Sequence, residues 1–169
     1  MIERIKNFIF KKPERWAHIR EIARELKMSP ETVRKIIAGL KKEGIAESRK
    51  EGNMVQFRAN LENETYRREK ILHNLKGVYD SGIIDSLQDF YSPQAIVLFG
   101  SYARGEDISS SDIDLGVITN SKKRPDLSAF EKRLARRIEL SLFTRKEVSE
   151  EFFTNIINGI VLKGMIKNE

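Results

Sequence analysis

Residues 98–115 read Leu98-Phe99-Gly100-Ser101-Tyr102-Ala103-Arg104-Gly105-Glu106-Asp107-Ile108-Ser109-Ser110-Ser111-Asp112-Ile113-Asp114-Leu115, and this stretch decides the fold. It opens inside the apolar run Ala95–Phe99, which has the length and composition of a buried strand and is ended by Gly100-Ser101. Ile113 to Ile118 reads as a second strand. Side chains alternate along a strand, so Asp112 and Asp114 share one face while Ile113 points into the core. Two carboxylates on one face repel each other unless a cation lies between them. Mg²⁺ takes hard oxygen ligands and completes its shell with water and phosphate oxygens, so a D-x-D strand suits one or two Mg²⁺ ions held against a nucleoside triphosphate. Taken alone, the same pair describes two surface carboxylates on a strand edge. Gly100-Ser101 adds the complementary half. A strand that ends in Gly-Ser and leads into a helix start brings backbone N–H groups toward an anion. Gly100 removes a side chain that would block phosphate, and the Ser101 hydroxyl can donate to a phosphate oxygen.

Ten residues separate Ser101 from Asp112, giving the pattern G-S-x10-D-x-D. With the phrase LFGSYARGE…SDIDLGV, the chain resembles the DNA polymerase β-like superfamily, and within it the small minimal nucleotidyltransferase branch, over Ala95 to Gly164. The resemblance implies that Gly100 and Ser101 contact the triphosphate and that Asp112 and Asp114 bind Mg²⁺. Arg104, in the family's Ala-Arg-Gly element, either touches phosphate or forms a structural ion pair. The family adds a third carboxylate, commonly Asp, on a neighbouring strand. The best match is Glu139 in Arg137-Ile138-Glu139-Leu140-Ser141-Leu142, where alternation sets Ile138, Leu140 and Leu142 on one face and Glu139 on the other. Glu139 would act as a third metal ligand or as the base that takes the acceptor's proton. If it is only a surface glutamate, the domain binds nucleotide and transfers it poorly. The implied reaction is attack of an acceptor hydroxyl on the α-phosphate of ATP or another nucleoside triphosphate, with loss of pyrophosphate. Protein AMPylation, as in antitoxin members that modify a partner toxin, is one form the resemblance allows, and nothing in the sequence selects it.

Around this segment, Ser121–Pro125 reads as a loop, Asp126–Arg137 as a helix, Glu139–Phe143 as a third strand and Glu147–Asn158 as a last helix, with Ile160–Leu162 returning to the sheet. Residues 62–90 read as helical, with Tyr66, Ile71, Leu72, Leu75, Val78 and Tyr79 as the apolar positions and a break at Gly82.

Toward the N-terminus, Ile2, Ile5, Phe8 and Ile9 mark a helix that ends before Pro13, and Trp16 is expected to anchor the following turn in a core. A second helix starts from Arg20, with Ile22, Ala23 and Leu26 inward. Ser29 is placed as N-cap and Pro30 as first residue of a third helix that carries Val33, Ile36, Ile37 and Leu40 inward and reaches Glu43, with Gly44 capping it. Ile45–Ser48 and Met54–Ala59 flank a polar turn, a hairpin pattern. Three helices followed by a hairpin resemble a winged helix-turn-helix, over roughly residues 1–60, in the phrase IREIARELKMSPETVRKIIAGLKKEGIAE. The resemblance implies duplex DNA as partner, with the third helix in the major groove and the hairpin as wing. Thr32, Arg34 and Lys35 on the helix, and Arg49, Lys50 and Asn53 on the wing, are the candidate contacts; Glu31 and Glu51 set negative charge close by. Docking of a protein, or a homodimer, is the other use of such a module. His18 and His73 have no partner at metal-ligand spacing and read as structural or exposed.

Charge agrees with this division. Residues 1–60 hold 15 Lys/Arg against 8 Asp/Glu, and residues 61–169 hold 16 against 17. A basic first third suits a polyanion, or is simply a solvated basic surface. There is no cysteine, which excludes disulfides, thiolate metal sites and cysteine nucleophiles. No apolar run approaches the roughly 20 residues that span a bilayer, and Met1–Phe10 lacks a signal-peptide core, so a cytoplasmic protein with no membrane partner is expected. The expected architecture is α+β or α/β. It comprises a winged helix-turn-helix (1–60), a helical connector (61–92) and a nucleotidyltransferase domain with a mixed sheet (93–169). The expected function is Mg²⁺-dependent transfer of a nucleoside monophosphate to a protein or other macromolecular acceptor. The alternative is a DNA-binding regulator whose second domain only senses nucleotide or docks a partner.

Overall fold

A computed structural model describes residues 1–167 and divides the chain into two compact units, Met1–Lys70 and Ile71 onward. Residues 168 and 169, the end of the expected last domain, lie outside the described residues. The segment 61–92 is shared: its first part packs within the first unit and the rest within the second. No helix among the described residues is long and apolar enough to cross a membrane.

The first unit contains α1 (Ile2–Lys11), β1 (Ala17–His18), α2 (Ile19–Leu26), α3 (Pro30–Lys42), β2 (Ala46–Glu51) and β3 (Met54–Ala59). Its three strands run antiparallel in the order β1-β3-β2. Ile5, Ile9 and Phe10 of α1, Ile22 of α2, and Val33, Ile37 and Leu40 of α3 form one core with Ala17, Ala46 and Ala59. The helix starts are fixed by side chains. Ser29 Oγ accepts from the Thr32 amide at 3.1 Å with Pro30 as first residue of α3. α2 begins at Ile19 rather than Arg20 because His18 caps it, with Glu21 accepting in return from the His18 amide. Trp16 departs from its expected core role. It is half-buried, and the guanidinium carbons of Arg49 and Arg58 each lie 4.5 Å from its ring centroid.

α4 (Glu64–Ser81) begins in the first unit and ends in the second. Its buried stripe is Tyr66, Lys70, Asn74, Val78 and Ser81, spaced three or four apart as one helical face requires. Leu72 and Tyr79, two of the apolar positions, are 63% and 51% exposed. The stripe is mostly polar, so apolar periodicity alone selects the wrong face.

The second unit continues with α5 (Ile83–Tyr91), β4 (Ala95–Phe99), α6 (Gly100–Ala103), β5 (Ile113–Ile118), α7 (Ser128–Leu134), β6 (Ile138–Phe143), α8 (Glu150–Ile157) and β7 (Ile160–Gly164). Gly82, with φ +80°, separates α4 from α5 as expected. The expected helix 126–137 is shorter, because Ala135 turns into the left-handed region at φ +52°. The strands form one mixed sheet, β6-β5-β4-β7, in which only β5 and β6 are parallel. One face carries Ile96, Leu98, Ile113, Leu115, Val117, Ile138 and Leu140 against Val78, Ile83 and Leu87. The other carries Ala95, Val97, Ile118 and Phe143 against Ile156 of α8. A buried leucine changed to alanine loses its transfer energy and leaves a cavity. Leu98→Ala is therefore expected to destabilise the second unit by about 2–5 kcal/mol, read as a lower urea midpoint.

Candidate functional site

The site lies where β4 ends and β5 begins. Register sets Asp114 opposite Phe99 across the antiparallel pair and opposite Glu139 across the parallel pair. Paired residues project to the same side of a sheet, so Asp114 and Glu139 share the α8 face. Asp112, two residues earlier, points the same way by alternation. α8 covers part of this face: Phe152 packs edge-on against Phe99, the residue opposite Asp114, at 5.8 Å and against Phe143 at 5.2 Å between ring centroids. The near end stays open. Burial pushes the Asp114 carboxyl above its usual range, and the charges of Asp112 and Glu139 push it further, with Arg104 opposing. Asp112 and Glu139 are thus each close enough to act on Asp114. Among the described residues no three Asp, Glu or His side chains are closed around a point that could hold a metal ion, and Glu139 is exposed.

Gly100 has a backbone reason as well as the expected chemical one. Its φ is +72°, and a Cβ there would lie 2.1 Å from Asp114 Oδ2. The space freed by its missing side chain is taken by the Asp114 carboxylate. α6 is only a single turn, Gly100–Ala103, so its macrodipole adds little. Arg104 is exposed and pairs with Glu106 at 2.8 Å, the ion-pair role, while remaining close enough to act on Asp114.

Three polar residues nearby escaped sequence reading. Asp107 is fully buried, although it sits in a run, Glu106–Ser111, that reads as a solvated loop. Its carboxylate accepts from Asn74 Nδ2 at 2.7 Å and from Arg136 Nη2 at 3.3 Å. Asn74 Nδ2 also donates to the Tyr102 carbonyl at 2.8 Å. Burial, helped by Asp107, pushes the Tyr102 hydroxyl up to about 12. The available hint was Asn74 itself, a polar residue one turn before Val78, but nothing in the sequence paired it with Asp107.

In the first unit, Arg34 and Asn53 line one groove of about 760 Å³ together with His18, Arg20, Arg24, Met54 and Val55. Arg20 and Arg24 were not among the expected contacts. Thr32 and Lys35 instead border a second groove with Met1, Ile2, Glu3, Glu31 and Ile36, and the Thr32 hydroxyl is engaged with Ser29 Oγ at 2.7 Å. Lys50 pairs with Val55 across the hairpin, whereas Arg49 is on the opposite hairpin face, bonded to Gln56 at 2.8 Å and set against Trp16.

Residues 81–161 match the nucleotidyltransferase domain family and residues 9–96 the penicillinase repressor family. A protein of Methanocaldococcus jannaschii named "Putative protein adenylyltransferase" is 36% identical over 73 residues, which cover 39% of this chain and 71% of that protein. The chain belongs to the nucleotidyltransferase domain family. A penicillinase-repressor winged helix precedes the transferase unit. The repressor match runs past Lys70 into the second unit, although the winged-helix core itself ends at Tyr66. A solved structure from Sulfolobus solfataricus, titled "putative nucleotidyltransferase", is 19% identical, with a TM-score of 0.32 over 59% of this chain and 92% of that one.

The raised Asp114 carboxyl in the nucleotidyltransferase unit has a consequence with a definite sign. As pH rises through the ordinary Asp value of about 3.9, the unfolded chain releases this proton while the folded one still holds it. Stability from this group is present below that value and is lost up to the folded pKa. In chelator, Asp114→Asn is therefore expected to gain on the wild type as pH rises from the acid range to neutrality, measured by urea midpoints.

Proposed function

We propose that the nucleotidyltransferase unit transfers a nucleoside monophosphate, AMP from ATP, to a hydroxyl of a macromolecular acceptor, and that the winged helix binds duplex DNA. The observation that carries the first half is the gathering of Asp112, Asp114 and Glu139 at the open end of one sheet, beside Gly100 and Ser101. Hard oxygen donors that repel one another fit a divalent cation. Mg²⁺ is commonly held by one or two carboxylates and completed by water and phosphate oxygens, so an open set suits it. Asp112 and Asp114 would hold the ion, with Glu139 as third ligand or as base. Bound there, Mg²⁺ would supply charge neutralisation for the phosphate oxygens and the leaving pyrophosphate.

The chain's own groups do the rest. Local N–H groups and the Ser101 hydroxyl seat the triphosphate, and Arg104, released from Glu106, adds a cation to it. Glu139 takes the acceptor proton as the oxygen bonds to the α-phosphorus, and the bond to the β-phosphate oxygen breaks. The name of the Methanocaldococcus relative supports a protein as the acceptor. The exposure of Glu139 favours one second reading, in which the site binds nucleotide as a sensor without transferring it.

Incubation with labelled nucleoside triphosphates and Mg²⁺ in lysate tests transfer. We expect Asp112→Asn/Asp114→Asn to abolish metal-dependent ATP binding in calorimetry with the fold intact; unchanged affinity removes the site. Glu139→Gln is expected to abolish labelling while sparing nucleotide binding, and persistent labelling takes the base role from it.

For the winged helix, cations that neutralise phosphates give affinity that falls steeply with salt. Arg34 is the best placed of the expected residues to reach a guanine edge. The variant Arg34→Ala/Arg49→Ala/Lys50→Ala is expected to bind random and genomic duplexes more weakly, with a shallower salt slope. Equal, weak binding by both proteins at low salt rules out this module as a DNA reader.

A further inference from the structure

Arg136 lies in the turn between α7 and β6, and its side chain is 7% exposed. One guanidinium nitrogen, Nη2, donates to the fully buried Asp107 carboxylate at 3.3 Å. The other, Nη1, donates to the Ile108 carbonyl and to the Ser111 carbonyl, the latter at 3.2 Å. The Ser111 carbonyl belongs to the peptide unit that joins Ser111 to Asp112. On the other side of Asp112, the Ile113 amide donates to the carbonyl of Arg137 at 2.9 Å. The two peptide units that flank Asp112 are therefore both held by consecutive residues of one turn.

That turn is itself fixed. The Arg136 amide donates to the Glu131 carbonyl at 3.2 Å, and the Glu131 carboxylate accepts from the Ile138 amide at 2.9 Å. One residue further on is Glu139, in register with Asp114. A single segment, Arg136–Glu139, thus carries one carboxylate of the site and grips the backbone that carries another. Asn74 steadies the arrangement from α4 by bonding both Asp107 and the Tyr102 carbonyl.

We propose that Arg136 is a positioning residue that sets Asp112 relative to Asp114 and Glu139, acting through the Ser111–Asp112 peptide and with Asp107 as its fixed counter-charge. The proposal rests on the metal-nucleotide reading of this site only for its consequence; the clamp itself is a statement about the chain. Lysine keeps the charge but lacks the rigid two-nitrogen fork by which Nη2 reaches the carboxylate while Nη1 reaches the carbonyls.

The test compares Arg136→Lys with Arg133→Lys, a control whose arginine also bonds a carbonyl, that of Ser81, away from Asp112. Two readouts are taken on the full chain: amide hydrogen exchange at Asp112 and Ile113, and Mn²⁺ affinity with and without ATP. Arg136→Lys is expected to exchange faster at these two amides. Its Mn²⁺ affinity should fall about 10–100-fold, the range in which supporting residues act on metal sites. Arg133→Lys should match the wild type in both. Wild-type exchange and affinity in Arg136→Lys would overturn the clamp. If the wild type itself takes up no Mn²⁺ with ATP, the nucleotide reading falls, and the exchange arm still decides the clamp. Should Arg136→Lys fail to fold, scalar coupling across the hydrogen bond from Arg136 Nη to the Ser111 carbonyl in the wild type decides it, and its absence overturns the proposal.

Discussion

Three carboxylates held at the open end of one sheet repel each other, and the fold must keep them there against that repulsion. The opposing force is hydrophobic. Ile113 and Leu115 bracket Asp114, and Ile138 and Leu140 bracket Glu139, all buried in one cluster with Ile96 and Leu98. A shift of either strand by one residue would turn these side chains outward and the acids inward, so the core fixes the register. The register in turn places Asp114 beside Glu139. Burial first, and the charges of Asp112 and Glu139 after it, hold the Asp114 carboxyl above its usual range.

The first unit handles charge in another way. Its surplus of cations is divided between the two faces of a hairpin. Arg49 and Arg58 both lie over the Trp16 ring, and Arg58 also pairs with Glu47 at 2.6 Å. These contacts bind the strand β1 region to the wing and occupy two of the cations that a charge count assigns to a polyanion. Arg20, Arg24 and Arg34 gather instead around the groove beside Asn53 and Val55. The basic excess of residues 1–60 therefore overstates the charge on any one surface.

How much of this the sequence discloses depends on whether the deciding contact is local. The caps of α3, the break at Gly82 and the alternation in β4, β5 and β6 follow from residues a few positions apart, and they read correctly. That Asp114 and Glu139 share a face follows from strand alternation, which the sequence discloses. The buried side of α4 is not legible from apolar spacing because it includes Lys70 and Asn74, whose partners are distant in sequence: the Phe10 carbonyl lies 60 residues from Lys70, and Asp107 lies 33 residues from Asn74. A polar residue satisfied from far along the chain leaves no periodic trace. Trp16 was misplaced for the same reason, since its covering groups are arginines on strands more than 30 residues away.

The loop from Gly105 to Asp112 uses the same side chain for opposite purposes. Asp107 is withdrawn from solvent and met by Arg136 and Asn74, so its charge is compensated within the protein. Asp112 and Glu139 both act on Asp114, opposed by Arg104, which is already paired to Glu106. A buried charge without a partner is costly enough that folded chains avoid it, and Asp107 obeys that rule. The acids five and seven residues later break it only in part, because they sit half-buried at an edge where water can reach them. One segment thus carries a carboxylate compensated within the protein and, a few residues on, carboxylates of the same sign left half-buried side by side.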